Sequence, residues 1–380
     1  MLIHLIAAAR PNFMKIAPVF HALNKEDWAA PVIVHTGQHY DLDMSDAFFE
    51  DLDLPEPPIH LGVGSGTHAQ QTGQVMIAYE KVLFEHKPDL VIVVGDVNST
   101  VACALATSKI VYPYATRNTE PGTQNLQRRQ PLLAHLEAGL RSFDRTMPEE
   151  INRVLTDALA DILWTPSPDA DQNLIKEGIA SDKIHRVGNI MIDSLEMLRD
   201  KIQEQAAYNE FGLQPGDYGV VTLHRPSNVD DQAALKSICE TFTRVGQRIP
   251  LIFPVHPRTR KNLEQNGFLS LLKESPGVHA VEPLNYLRFM NLVFNCRLAI
   301  TDSGGIQEET TYLGIPCLTM RPNTERPITI EQGTNLLCDF DHLETMIETT
   351  LSGDNRRGSV PELWDGHTAD RVVASMKKLL

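Results

Sequence analysis

Short apolar runs alternate with amphipathic stretches along this chain, and the alternation is carried through twice. In the first half the apolar runs are residues 2–8, 32–36, 90–95, 132–136 and 162–165, and in the second they are 219–223, 251–255, 278–281, 298–301 and 317–320. Between them, segments such as 70–85, 99–110, 149–159, 232–245 and 306–313 carry apolar residues at helical spacing. A strand that is apolar along its whole length must be covered on both faces, and helices joining successive parallel strands provide that cover. The pattern therefore predicts an α/β fold of two Rossmann-like doubly wound domains facing a cleft. The series restarts near Gly188-Asn189, after a strand-like run at 184–187. This sets the expected boundaries at 1–187 plus 366–380 for the first domain and 188–365 for the second, the last helical stretch returning to the first.

A chain of 380 residues can fill two cores of ordinary size. None of its apolar runs approaches the ~20 residues of a membrane span. The opening MLIHLIAAAR lacks a basic leader region and runs into Arg10-Pro11-Asn12, so it reads as a first buried strand. A net charge of -15 disfavours nucleic acid and anionic membrane as partners; an anionic ligand then needs a local concentration of basic residues. The five cysteines are scattered with no CxxC pair, which argues against zinc and disulfides and leads us to expect a cytoplasmic protein. Residues 114–130 are polar and turn-rich and read as a long peripheral loop, mobile or in contact with another subunit.

Ligands of doubly wound sheets bind outside the carboxyl ends of the strands, so the residues there carry the functional argument. Arg10 and Lys15 follow the first strand and start a helix, where they either serve an anion or are simply solvated. Asp96 follows the strand at 90–95 and could be a catalytic acid/base or a helix cap. Glu137, after the strand at 132–136, is a poor cap with small neighbours, which favours a role toward a ligand. Glu149 opens a helix, where an acidic residue is also expected from the helix dipole. Carboxylates gathered beside Arg and Lys suit chemistry that moves a proton on carbon or to a glycosidic oxygen.

In the second half His224 and His256 each end a strand, as phosphate ligands, as acids or as structural residues. The helix after Pro283 could contact a base. The run Thr301-Asp302-Ser303-Gly304-Gly305 is a strand, a small-residue turn and a helix start, whose bare N–H groups can cradle a phosphate. Glu309 stands one helical turn after Gly305, in reach of a ribose diol. It is neither GxxxxGK[ST] nor GxGxxG, so ATPase and nicotinamide readings have little support.

Taken in order, the stretches ARPNFMKIAPV, TGQH, GDVNST, HLEAGLRSFDRTMPEEINR, GNIMID, TLHRPSN, PVHP, TDSGGIQEE and TERP resemble the non-hydrolysing UDP-N-acetylglucosamine 2-epimerase family over residues 9–327. The resemblance implies a glycosyltransferase-B-like fold and interconversion of UDP-GlcNAc and UDP-ManNAc without NAD, metal or other cofactor. It implies loss of the C2 proton with anti elimination of UDP, then re-addition to a bound 2-acetamidoglucal. By the same likeness Arg10, Lys15, Asp96, Glu137, Glu149 and His224 fall on active-site positions. Ser303, Gly304, Gly305, Glu309 and Arg326 fall on UDP-binding positions, and Phe289 falls near the uracil. His256 is grouped with the binding residues, and the partners expected are a UDP-sugar and a second copy of the chain in a homodimer.

Departures from the family pattern are informative. Asn12-Phe13 replace the usual Glu-Ala, and Gln38-His39-Tyr40 and Thr72-Gly73-Gln74 lack the two arginines of a second, regulatory UDP-GlcNAc site. Little or no activation by UDP-GlcNAc is predicted. The nearest competing readings are a 2-epimerase of a diacetamido-uronic acid, a hydrolysing epimerase releasing free ManNAc, a glycosyltransferase of the same fold, and an inactive nucleotide-sugar sensor.

Overall fold

The computed structural model of the chain describes residues 1–37, 49–115, 126–353 and 358–379. They form two compact units, Met1–Met197 with Glu362–Leu380, and Leu198–Pro361. The strands of the first unit are β1 (Leu2–Ala7), β2 (Ala30–His35), β3 (Ile59–His60), β4 (Leu90–Val94), β5 (Tyr112–Ala115), β6 (Leu126–Arg129), β7 (Leu132–Leu136), β8 (Ile162–Thr165) and β9 (Ile184–Arg186). Seven make a parallel sheet in the order β3-β2-β1-β4-β7-β8-β9. The chain winds outward from β1 to β3, then crosses back to β4, so winding reverses between β1 and β4. That reversal opens a crevice at the carboxyl ends of these two strands.

The second unit repeats the plan. Its strands are β10 (Gly219–Thr222), β11 (Leu251–Pro254), β12 (Val278–Val281), β13 (Leu298–Thr301), β14 (Cys317–Thr319) and β15 (Asn335–Leu337). They form a parallel sheet in the order β12-β11-β10-β13-β14-β15, with its reversal between β10 and β13. Each unit has its own core. Val34, Tyr79, Leu83, Val91, Val93 and Leu163 are buried in one; Val221, Phe242, Phe253, Leu298 and Ile300 are buried in the other. Each such side chain contributes about 1.5–3 kcal/mol of hydrophobic stabilisation. No helix among the described residues is long and apolar enough to cross a membrane.

One expectation needs correction. Part of the 114–130 loop is ordered as an antiparallel ribbon, β5 on β6, with Tyr112 opposite Arg129. A two-stranded ribbon outside the main sheet needs no buried face, so it leaves no apolar alternation to read. Residues 116–125 lie outside the described residues, as do Gln38-His39-Tyr40.

Helix Thr368–Leu379 belongs to the first unit. Asp193 accepts from the backbone N–H of Thr368 (3.0 Å) and Ala369 (2.7 Å), acting as a cap delivered from another helix. Trp364 donates to the Pro166 carbonyl at 3.0 Å. Gly188 makes this docking possible: it sits at φ +98°, and a Cβ there would fall 2.1 Å from the Leu363 carbonyl oxygen.

Candidate functional site

The first unit concentrates charge at its winding reversal. Helix Arg10–Leu23 starts two residues after β1, with Arg10 exposed at its first position and Pro11 next. Asn12 is buried and locks this turn: its Oδ1 accepts from Ala9 N–H at 3.1 Å, and its Nδ2 donates to the Val94 carbonyl at 3.1 Å. One turn on, the buried Lys15 ammonium forms an ion pair with Glu137 at the end of β7. Lys15 is thus neither solvated nor free for an anion alone; it neutralises a carboxylate. Glu137 has left-handed backbone, φ +75°, which costs a non-glycine residue about 1–3 kcal/mol and is retained where placement matters. Gly95 lies between the two, since a Cβ there would sit 3.3 Å from Lys15 Nζ and 3.5 Å from Glu137 Oε2.

Asp96, the next residue, does not cap the following helix. That helix, Asn98–Lys109, is preceded by Val97 and has no side-chain cap. Asp96 instead takes Arg153 on its Oδ2 at 2.5 Å, and Asn152 donates to its carbonyl at 2.8 Å. Both partners come from helix Pro148–Leu159, whose first turn carries Glu149. Glu149 is half-buried, and its carboxylate has no partner among the described residues.

The rest of that helix explains why these loops hold their places. Its buried Glu150, Arg153 and Asp157, spaced three and four apart, lie on one face; Arg153 fastens the end of β4, and Glu150 and Asp157 fasten the loop after β7. Glu150 accepts from the N–H of Ser142 (3.0 Å) and Phe143 (2.8 Å) and pairs with Arg153 at 2.8 Å. Asp157 takes Gly139 N–H at 3.1 Å, Arg141 at 2.7 Å and the His135 ring at 2.6 Å. The other ring nitrogen of His135 donates to the Gly95 carbonyl at 2.9 Å, so both of its nitrogens face acceptors. Burial pushes the Asp157 carboxyl up, yet His135 and Arg141 hold it below the usual range. Sequence reasoning assigned nothing to His135, Glu150, Arg153 or Asp157. The available signal was a charged stripe at helical spacing in a helix whose apolar residues Ile151, Val154 and Leu155 face outward.

In the second unit the reversal gathers His224, after β10, and Asp302, after β13. Asp302 is fully buried. Its carboxylate accepts from the N–H of His224 (3.0 Å) and Arg225 (2.9 Å) and from Asn228 Nδ2 (3.0 Å). The His224 ring Nδ1 stands 2.9 Å from Asp302 Oδ1. The His256 ring lies 5.5 Å away, and its Nδ1 accepts the Arg258 N–H at 3.2 Å, capping helix Pro257–Gln265. Burial and the neighbouring His224 hold the His256 ring below its ordinary pKa. Asp302 was the residue the strand-end reading passed over, though it directly precedes the Ser303-Gly304-Gly305 turn.

That turn starts helix Gly304–Leu313, with Ser303 at the cap position. Gly304 and Gly305 differ. A Cβ on Gly304 would meet Arg326 Nη1 at 2.6 Å and Glu325 Oε1 at 2.9 Å, whereas around Gly305 there is open space. The helix N-terminus is thus backed by a guanidinium and open on one side, as anion binding requires. Arg326 is itself held by Glu325 (2.5 Å) and Glu308 (2.8 Å). Glu309 is buried with no cation beside it among the described residues; Tyr286 donates to its Oε1 at 2.7 Å, and burial pushes its pKa to about 8. Phe289 is half-buried on helix Tyr286–Phe294, one turn after Tyr286.

The chain matches the sequence profile of UDP-N-acetylglucosamine 2-epimerase over residues 21–115 and 125–377. The UDP-N-acetylglucosamine 2-epimerase of Methanocaldococcus jannaschii is 40% identical, with 98% of each chain covered. The UDP-2,3-diacetamido-2,3-dideoxy-D-glucuronate 2-epimerase of Pseudomonas aeruginosa is 40% identical over 87% of this chain and 86% of that one. A crystal structure of the M. jannaschii enzyme in complex with UDP-GlcNAc and UDP matches with a TM-score of 0.85 at 39% identity, covering 100% of both chains.

Proposed function

The chain belongs to the UDP-N-acetylglucosamine 2-epimerase family, and from that premise we propose that it interconverts UDP-GlcNAc and UDP-ManNAc without hydrolysing them. The C2 proton is weakly acidic. Its removal must therefore coincide with departure of UDP from C1, so that the electrons of the C2–H bond form a C1–C2 double bond while the C1–O bond breaks. The intermediate is 2-acetamidoglucal. Re-addition of UDP to C1, with a proton delivered to the other face of C2, gives the epimer.

Two needs follow: carboxylates to exchange the proton, and cations or N–H dipoles to carry the negative charge of the leaving diphosphate. Asp96, Glu137 and Glu149 are the proposed carboxylates. Lys15 and Arg10 supply positive charge beside them, and His224 serves the leaving group. In the second unit the N–H groups of Ser303, Gly304 and Gly305 receive the phosphates, with Arg326 and His256 nearby in the chain's fold. Glu309 receives the ribose and Phe289 lies toward the uracil.

The observation that best supports this reading is the Lys15–Glu137 pair at the winding reversal, with Glu137 held in strained backbone beside Gly95 and Asp96. An ion pair so placed fixes a carboxylate at the carboxyl end of a strand, where a doubly wound sheet presents its ligand site. The test is proton NMR of UDP-GlcNAc with the pure protein in D2O. A manno anomeric signal growing in with loss of H2 is expected; unchanged substrate, or release of UDP with free ManNAc, would refute it. The 40% identity to the diacetamido-glucuronate enzyme favours one alternative substrate. Offering that sugar nucleotide in the same assay separates the two.

A further inference from the structure

We propose that Asp302 is the positioning residue for His224: its carboxylate holds the ring by Nδ1, turns Nε2 toward the leaving diphosphate and supports the charge the ring carries as UDP departs. The inference rests on the role given to His224 above. Asp302 is 0% exposed, and every partner of its carboxylate is a donor: two backbone N–H groups, the Asn228 amide and the His224 ring. Such an environment keeps the carboxylate ionised; burial pushes its pKa up, but His224 and the other donors hold it below the usual range. A buried negative charge is stable only where donors or a counter-charge face it. The ring nitrogen of His224 lies in ion-pair reach of this carboxylate, and the Arg225 Nε donates to the Asp302 carbonyl at 3.0 Å.

The other side of the ring is free. The His224 side chain is 39% exposed, and Nε2 has no partner among the described residues. With Nδ1 committed to Asp302, Nε2 is the only nitrogen that can face a substrate. Asn228 completes the arrangement by bridging Asp302 and the Met320 carbonyl (3.0 and 2.9 Å), which ties the turns after β10, β13 and β14 into one platform. The alternative is that Asp302 only ties these turns together, with the His224 contact incidental.

Kinetics and binding separate the two. Asp302→Asn should lower kcat about 100-fold or more, the scale of a lost acid/base contribution, while the Kd for UDP stays within about threefold. In the double variant with His224→Asn, the second substitution should cost almost nothing further, because Asp302 acts through the ring. A loss of UDP binding parallel to the loss of kcat, or full multiplicative loss in the double variant, would overturn the proposal. Should Asp302→Asn not fold, imidazole nitrogen NMR of the unaltered protein decides: His224 must carry a proton on Nδ1, and a neutral ring protonated only on Nε2 would also overturn it. If His224→Asn alone retains full activity, the role of His224 itself is wrong, which is a different failure.

Discussion

Glu309 shows how far one residue's environment can set the behaviour of a site. Its carboxyl is buried, receives one hydrogen bond from Tyr286 and has the Glu308 carboxylate as its neighbour in sequence. Burial raises its pKa to about 8, so at neutral pH it is protonated in the ligand-free protein. A ribose diol offers donors and so favours the ionised form. UDP binding should therefore release a proton, and affinity should rise as pH increases from 6 to 8 before levelling off above about 8. The rise approaches tenfold per unit at its steepest, since the competent fraction limits apparent affinity. Calorimetric titration with UDP at several pH values checks this, with Glu309→Gln as reference: the variant should lose the excess slope, and equal slopes would count against the assignment. The same shift has the opposite sign for stability. Below the unfolded value the group is neutral in both states and its contribution is fully present; it is lost as pH rises through about 8.

At the scale of elements, helix Pro148–Leu159 is the piece that sequence reasoning understood least. Its apolar period was legible and located the helix correctly, but apolar periodicity says only that two faces differ, not which one is buried. Here Glu150, Arg153 and Asp157 face inward, while Ile151, Val154 and Leu155 are 36–44% exposed. The strand ends, by contrast, could be read, because a doubly wound sheet fixes where its loops emerge. Arg10, Asp96, Glu137 and His224 all stand where the alternation put them. What the pattern could not give was pairing: that Lys15 meets Glu137, that Asp96 meets Arg153, or that Asp302 lies under His224. These contacts join residues 57 to 122 positions apart, and no local rule sets them. Arg153 joins two carboxylates, so Arg153→Lys should be damaging despite keeping the charge. Lysine lacks the planar fork that reaches both Asp96 and Glu150. A loss of about 3 kcal/mol is expected in chemical denaturation of the first unit, together with a fall in kcat. A variant as stable and active as the parent would remove the helix from its organising role.

For the whole molecule, the outward apolar residues of that helix matter again. Ile77 and Phe84 on helix His68–His86 are 63% and 51% exposed, so more than one helix of the first unit shows apolar residues outward. We propose that a second copy of the chain covers them, as the expected homodimer requires. Sedimentation equilibrium should give about twice the 42.4 kDa chain mass. Ile77→Glu with Phe84→Glu should shift the population toward monomer; an unaltered mass would place the interface elsewhere. The chain path has one more consequence. Because helix Thr368–Leu379 docks beside Asp193 and Trp364 beside Pro166, the first unit is built from two stretches of chain, with Leu198–Pro361 between them in sequence. On a ribosome the chain of the second unit therefore emerges before helix Thr368–Leu379, and the first unit acquires that helix late. We propose that products truncated before this helix keep the unit assigned to the nucleotide and lose turnover.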